Sequence, residues 1–182
     1  MITKIFLIRH AHSTYSTDEY NRPLSDKGVD SLSKLDFLKN IDFDVIISSP
    51  YKRCIQTIAP LSLELKKDIQ IDERLKERVI SNQFQPDFDY CMNKLWNDYN
   101  FSFVGGESNF VAQARGISLI EHLLRNYTGK TIALSTHGNL ITLILNYYNK
   151  NYDFSFWKNL KMPDVISITF SENVSIQNIL NK

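Results

Sequence analysis

Five side chains in this sequence carry the types and positions that phosphoryl chemistry needs. Arg9-His10 closes the apolar run Ile5-Phe6-Leu7-Ile8. Arg53 follows a second run, Val45-Ile46-Ile47, a few residues into a helical pattern. His137 closes a third, Thr131-Ile132-Ala133-Leu134-Ser135-Thr136, and is followed by Gly138-Asn139. Glu77 lies between them in Leu75-Lys76-Glu77. A phosphoryl group is a compact dianion, and arginine offers it planar, bidentate donors. A histidine in such a pocket can attack phosphorus through a neutral ring nitrogen, provided its other nitrogen is protonated and held. The arginines then supply the charge stabilisation that a metal ion gives elsewhere. Plainer readings exist for single residues. Arg53 alone reads as a solvated helix residue. Glu77 sits in Asp72-Glu73-Arg74-Leu75-Lys76-Glu77-Arg78, where a surface ion pair is the rival to catalysis. His10-Ala11-His12 has a ligand-like look, but alternate residues of a strand face opposite ways and no acid or cysteine stands at a matching spacing. No metal and no cofactor is expected.

The elements that must position these residues alternate between strand and helix. The short apolar runs ending at Ile8, Ser48 and Ser135 fit strands buried on both faces. In an open α/β sheet, ligands bind outside the carboxyl ends of such strands. Residues 11–24 read as a loop, and Ser25 as the N-cap of a helix carrying Val29, Leu32, Leu35 and Leu38 to about Lys39. Pro50 opens the next helix, which runs to about Lys66 with a kink or break expected at Pro60. Ile69-Gln70-Ile71 is a short strand, Glu107 to Asn126 the strongest helix, and residues 138–147 another. Val165–Phe170 and Val174–Ile176 read as a hairpin extending the sheet at one edge. Residues 78–104 are irregular and aromatic, with Phe84, Pro86, Phe88, Trp96 and Phe103 among them. They fit either a pocket wall, in which Phe84, Trp96 and Phe103 govern substrate choice, or a satellite hydrophobic cluster.

Taken together, Arg9-His10, Ser48-Ser49-Pro50-Tyr51-Lys52-Arg53, Leu75-Lys76-Glu77, Gly105-Gly106-Glu107 and Ser135-Thr136-His137-Gly138-Asn139 resemble the histidine phosphatase superfamily, with its phosphoglycerate mutase-like fold. The resemblance spans the first strand to about Asn146. It implies a three-layer α/β/α sandwich around a mostly parallel sheet with an antiparallel edge. It implies His10 as nucleophile, Arg9, Arg53 and His137 as the remainder of a phosphate pocket, and Glu77 as the acid that protonates the leaving oxygen. His10, Glu77 and His137 are thus the expected catalytic set. The sequence departs from the family pattern at Ala11, where glycine is usual, at His12 and Ser16, and after Glu77, where a glycine is missing.

The chain has 182 residues and a net charge of +1, which fits one domain over residues 1–182 and excludes a generally basic nucleic-acid surface. No run is long enough for a membrane span, and Lys4 is followed by too few apolar residues for a signal-peptide core. Cys54 and Cys91 have no metal-type spacing, and Cys54 reads as a small buried thiol. A cytoplasmic location is expected. The sequence therefore points to a metal-independent phosphomonoester hydrolase acting through phosphohistidine on a small phosphorylated substrate. A phosphoglycerate mutase, a protein phosphohistidine phosphatase and a non-catalytic phosphate-binding regulatory module are the alternatives. The sequence does not determine the oligomeric state.

Overall fold

The computed structural model describes residues 1–85 and 87–180; Pro86 lies outside them. Six strands form one sheet in the order β3-β2-β4-β1-β5-β6. These are β1 (Thr3–Arg9), β2 (Val45–Ser48), β3 (Ile69–Ile71), β4 (Thr131–Thr136), β5 (Asp164–Phe170) and β6 (Val174–Asn178). The first four run parallel to one another. β5 and β6 pair antiparallel on the β1 side and form the expected edge hairpin.

The pleat divides the core. Ile5 and Leu7 of β1, with Ile132 and Leu134 of β4, pack into one cluster. Phe6 and Ile8, with Ala133, pack into another on the opposite face. Alternate residues of a strand point to opposite faces, so a fully apolar run needs cover on both. Helices α4 (Asn109–Asn126) and α5 (Gly138–Tyr148) cover the first face. Helix α2 (Lys52–Leu65) and a 3-10 helix (Ser31–Asn40) cover the second. This is the expected three-layer α/β/α arrangement.

Several expectations change in detail. The helix expected from Ser25 to Lys39 is a short α1 (Asp26–Asp30), capped by Ser25, followed by the 3-10 helix. Val29, Leu32, Leu35 and Leu38 recur every third residue, which is the 3-10 period and not the α period. α2 continues through Pro60 without a break. α4 begins after Ser108, whose side chain accepts from the Val111 N–H, so Ser108 and not Glu107 supplies its cap. Residues 78–104 contain a regular ten-residue helix, α3 (Phe88–Asn97), capped by Asp87. A further short helix, α6 (Phe154–Asn159), packs near it through Phe88 and Trp157. Among the described residues no helix is long and apolar enough to cross a membrane.

Candidate active site

All four parallel strands end on the same side of the sheet, and each delivers part of the site. β1 delivers Arg9 and His10. β2 leads through Ser49 into α2 and Arg53. β4 ends at His137, and β3 leads through a short 3-10 turn to Glu77. The pleat sends the first pair to opposite layers: the Arg9 guanidinium passes over the start of α5, whereas His10 faces α2 and Arg53. A Cβ on Gly138 would stand 2.6 Å from the Arg9 guanidinium carbon, so α5 must begin with glycine for Arg9 to lie there. Arg9 donates through Nη1 to the carbonyls of Leu160 and Lys161, which aligns it across the loop before β5.

His10 is 6% exposed and its ring is held at both nitrogens. Nδ1 lies 2.7 Å from the Ala11 carbonyl oxygen. A carbonyl only accepts, so the proton is on Nδ1 and the lone pair is on Nε2. Burial, and then the Arg53 charge beside it, push its pKa down to about 3. The ring is therefore a neutral base with Nε2 facing the Arg53 Nε–H at 3.3 Å. Ala11 is fully buried, and its N–H donates to Thr57 Oγ1 of α2 at 3.0 Å. The turn carrying His10 is thus fastened to the helix carrying Arg53.

Arg53 is 1% exposed, not the solvated residue its helical position allowed. It lies over the Tyr51 ring, 4.6 Å from the centroid. Its Nη2 donates to Glu19 Oε2 at 2.9 Å and to His137 Nδ1 at 3.3 Å. Its Nη1 donates to the Glu19 carbonyl at 2.8 Å. A guanidinium cannot accept, so His137 Nδ1 accepts and Nε2–H donates to Ser49 Oγ at 2.9 Å. Burial and the neighbouring His10 and Arg53 hold His137 well below the usual histidine pKa. His137 is fully buried with its ring centroid 5.1 Å from that of His10, and it does not line the cavity. It stands one layer behind, where it props Arg53.

Glu77 makes no ion pair among the described residues; in its charge-rich run the pairs are Arg74 with Asp72 and Lys76 with Glu73. Its carboxylate accepts from the N–H groups of Asn139 and Leu140 at 3.2 Å each, and from that of Arg78 at 2.9 Å. The side chain of His137, the N-cap residue of α5, makes no cap bond, so Glu77 caps this helix from another segment. The segment is pinned by Arg115, which grips Glu107 through Nε and Nη2 and donates to the Arg74 and Lys76 carbonyls.

Arg9, His10, Arg53 and Glu77 line one cavity of about 480 Å³. Val79, Ile80, Phe88, Trp157 and Met162 also line it and give it an apolar wall. Of the aromatic stretch, only Phe88 reaches the cavity. Phe84 is exposed, Trp96 stacks on Phe154, and Phe103 packs on Phe101, so those three residues are not the wall expected of them. Within residues 78–104 the cavity is reached by Arg78, Val79, Ile80, Ser81 and Phe88, while Trp96, Phe101 and Phe103 make aromatic contacts away from it. Sequence reasoning missed Glu19, Arg22 and Arg78, which also line the cavity. Glu19 accepts from Arg22 Nη1 at 2.9 Å as well as from Arg53. Glu19 and Arg22 lie in a loop with no periodicity to read. Arg78 was hidden in a run of charges. Among the described residues no group of three or more His, Cys, Asp or Glu side chains could hold a metal ion.

A neutral histidine set among arginines, at the carboxyl edge of an open α/β sheet, defines a site built to handle a phosphoryl group. The model of the histidine phosphatase superfamily (branch 1) matches residues 5–174, so the chain belongs to that superfamily and is a phosphatase by class. A mycobacterial glucosyl-3-phosphoglycerate phosphatase shares the fold with a TM-score of 0.80 at 18% identity, covering 98% of this chain and 99% of that one. YhfR from Bacillus stearothermophilus gives 0.80 at 16% identity, covering 99% and 98%. A phosphoglycerate mutase from Bacillus anthracis gives 0.77 at 16% identity, covering 98% and 93%. A search of curated protein sequences gives no match.

Proposed function

We propose that the chain hydrolyses a small phosphomonoester without a metal ion, through a covalent phosphohistidine. The observation that carries this reading is His10: Nδ1–H is tied to the Ala11 carbonyl, so the unprotonated Nε2 is presented at the cavity beside Arg53. In the first step the Nε2 lone pair bonds to phosphorus and the ester P–O bond breaks. Arg9 and Arg53 stabilise the charge on the equatorial oxygens. Glu77 passes a proton to the leaving oxygen as that bond breaks. Water then attacks the phosphohistidine, Glu77 takes its proton, and inorganic phosphate leaves. His137 keeps Arg53 aligned throughout. The cavity volume fits a small ligand. The apolar wall favours a metabolite over an open protein surface. That wall speaks against a protein phosphohistidine phosphatase, and the presence of Arg9, His10, Arg53 and His137 together speaks against a non-catalytic module. The mutase relative shares the fold over nearly its whole length, and the fate of the phosphoryl group separates the two activities.

Rapid quench with labelled substrate tests this. Wild type should yield an acid-labile, base-stable phosphoenzyme and release inorganic phosphate. His10→Ala should yield none, with kcat down by about a thousandfold or more. Label mapped to a serine, or near-normal turnover by His10→Ala, would overturn the reading. Transfer of the label to a phosphoglycerate instead of water would assign the mutase activity.

A further inference from the structure

The turn Gly105-Gly106-Glu107 does not line the cavity, yet it is joined to the segment that carries Glu77. Glu107 exchanges two hydrogen bonds with Val79. Its N–H donates to the Val79 carbonyl at 2.8 Å, and its Oε2 accepts from the Val79 N–H at 3.3 Å. A Cβ on Gly106 would stand 2.0 Å from the Ile80 carbonyl oxygen, so the turn lies this close only with glycine there. Arg115 of α4 grips the two Glu107 oxygens at 3.0 and 2.8 Å. Its Nη1 donates to the carbonyls of Arg74 and Lys76 at 2.7 and 3.0 Å. The planar fork of one guanidinium thus serves an acid and two backbone carbonyls at once, which the point charge of a lysine does not. The backbone is held just before Glu77, at Lys76, and two residues after it, at Val79. Neither Glu107 nor Arg115 lines the cavity.

Such a clamp matters because of what Glu77 has to do. Its carboxylate is tied at the tip to the N–H groups of Asn139 and Leu140, at the start of α5. Its backbone is tied by Glu107 and Arg115. The two ties together fix where a long, flexible side chain holds its oxygens. A proton passes only over hydrogen-bond distance, and a misplacement of about 1 Å can cost on the order of a hundredfold in rate. We propose that Glu107 and Arg115 are positioning residues for proton transfer from Glu77 to the leaving oxygen. They act through the backbone of residues 76–79 and touch neither the substrate nor the phosphorus. This rests on the acid role given to Glu77 in the hydrolase reading above and names the residues that make that role effective.

Phenyl phosphate and p-nitrophenyl phosphate provide the test, because they are similar in shape and differ in how much the leaving oxygen needs a proton. Arg115→Met should lower kcat on phenyl phosphate by about tenfold or more and on p-nitrophenyl phosphate by much less. KM should stay within about twofold on both, because the phosphate contacts are untouched. Glu107→Gln keeps the size of the side chain and one oxygen, and should do the same more weakly. Arg115→Lys should recover part of the loss. In a Glu77→Gln background, Arg115→Met should cost nothing further on phenyl phosphate, since the group it positions is already gone. Equal losses on both esters, no loss on either, or the full additional loss in the Glu77→Gln background would overturn the proposal. If Arg115→Met does not fold, Glu107→Gln carries the same comparison; if neither folds, the pair belongs to the fold alone and the proposal falls. Glu77→Gln by itself separates the failures. If it lowers kcat equally on both esters, or if wild type leaves phenyl phosphate intact, the acid role fails and this inference with it. If its loss is selective while those of the Glu107 and Arg115 variants are not, this inference alone fails. No turnover of either ester by wild type refutes the hydrolase reading itself.

Discussion

His10 is useful to the reaction because its surroundings keep it unprotonated, and the same surroundings tie folding to pH. Its pKa is about 3 in the folded chain against an ordinary 6.5, and His137 is shifted the same way. Between those two values the unfolded chain binds protons that the folded chain refuses. Stability therefore rises with pH through that window, by roughly 1 kcal/mol per pH unit for each histidine, and is level above it. Urea midpoints should fall between pH 6.5 and 4.5. His10→Gln should flatten the slope, and an unchanged slope would show that His10 is not the source. Glu77 makes a different prediction. Glu77→Gln keeps an oxygen for the α5 N–H groups but loses the proton. Its kcat should fall by roughly 10²–10⁴ on alkyl phosphates and least on p-nitrophenyl phosphate, whose leaving group departs without help. Equal losses on both would leave Glu77 only its capping role. At this scale Arg9, His10 and His137 were legible because they end apolar runs, and a strand end in an α/β pattern is a place with meaning. Arg78 was not. Nothing local distinguishes a buried arginine from its exposed neighbours in a charged run; only the packing of Met92 does.

The loop before α1 shows how an element can regulate access to a residue. It carries Glu19 onto Arg53 through both a carboxylate and a carbonyl. A phosphate dianion and the Glu19 carboxylate want the same guanidinium edge, so binding has to move Glu19 aside. Glu19→Gln replaces a charged contact by a neutral one, worth about 1 kcal/mol less. Inorganic phosphate should then inhibit the variant at roughly a fifth of the concentration that wild type requires. Weaker inhibition would mean that the carboxylate orders the pocket instead of competing for it. This loop was expected as a loop, yet its contact could not be foreseen. Among the described residues its strand-like pairing is confined to an isolated bridge, Ser13 with Leu24, and irregular backbone offers no period to read. The 3-10 helix is the opposite case. The spacing of three among its apolar residues was visible in the sequence, but three is close enough to the α-helical period to be taken for it. α3 was obscured by the aromatics around it, which answer to two separate packing tasks.

Across the whole molecule, four parallel strands ending on one side place the site, and this much the alternation of strand and helix made readable. The strand order was not readable, because which strands neighbour β1 depends on contacts far along the chain. Four arginines line the cavity and can neutralise a phosphoryl group, so turnover should persist in excess EDTA. Loss on chelation, restored by a divalent ion, would reject the proposed mechanism.

The position of β1 also sets the order in which the site can be assembled during synthesis. β1 is made first, yet its neighbours are β4 and β5: Arg9 stands opposite Thr136 on one side and Asp164 on the other. A nascent chain holding only β1, β2 and β3 has His10 but no central strand to seat it. The apolar run from Ile5 to Ile8 must wait, uncovered, through most of translation. Such distant pairing slows folding and exposes intermediates to aggregation. The catalytic turn is thus the first part of the pocket to leave the ribosome and among the last to take its shape.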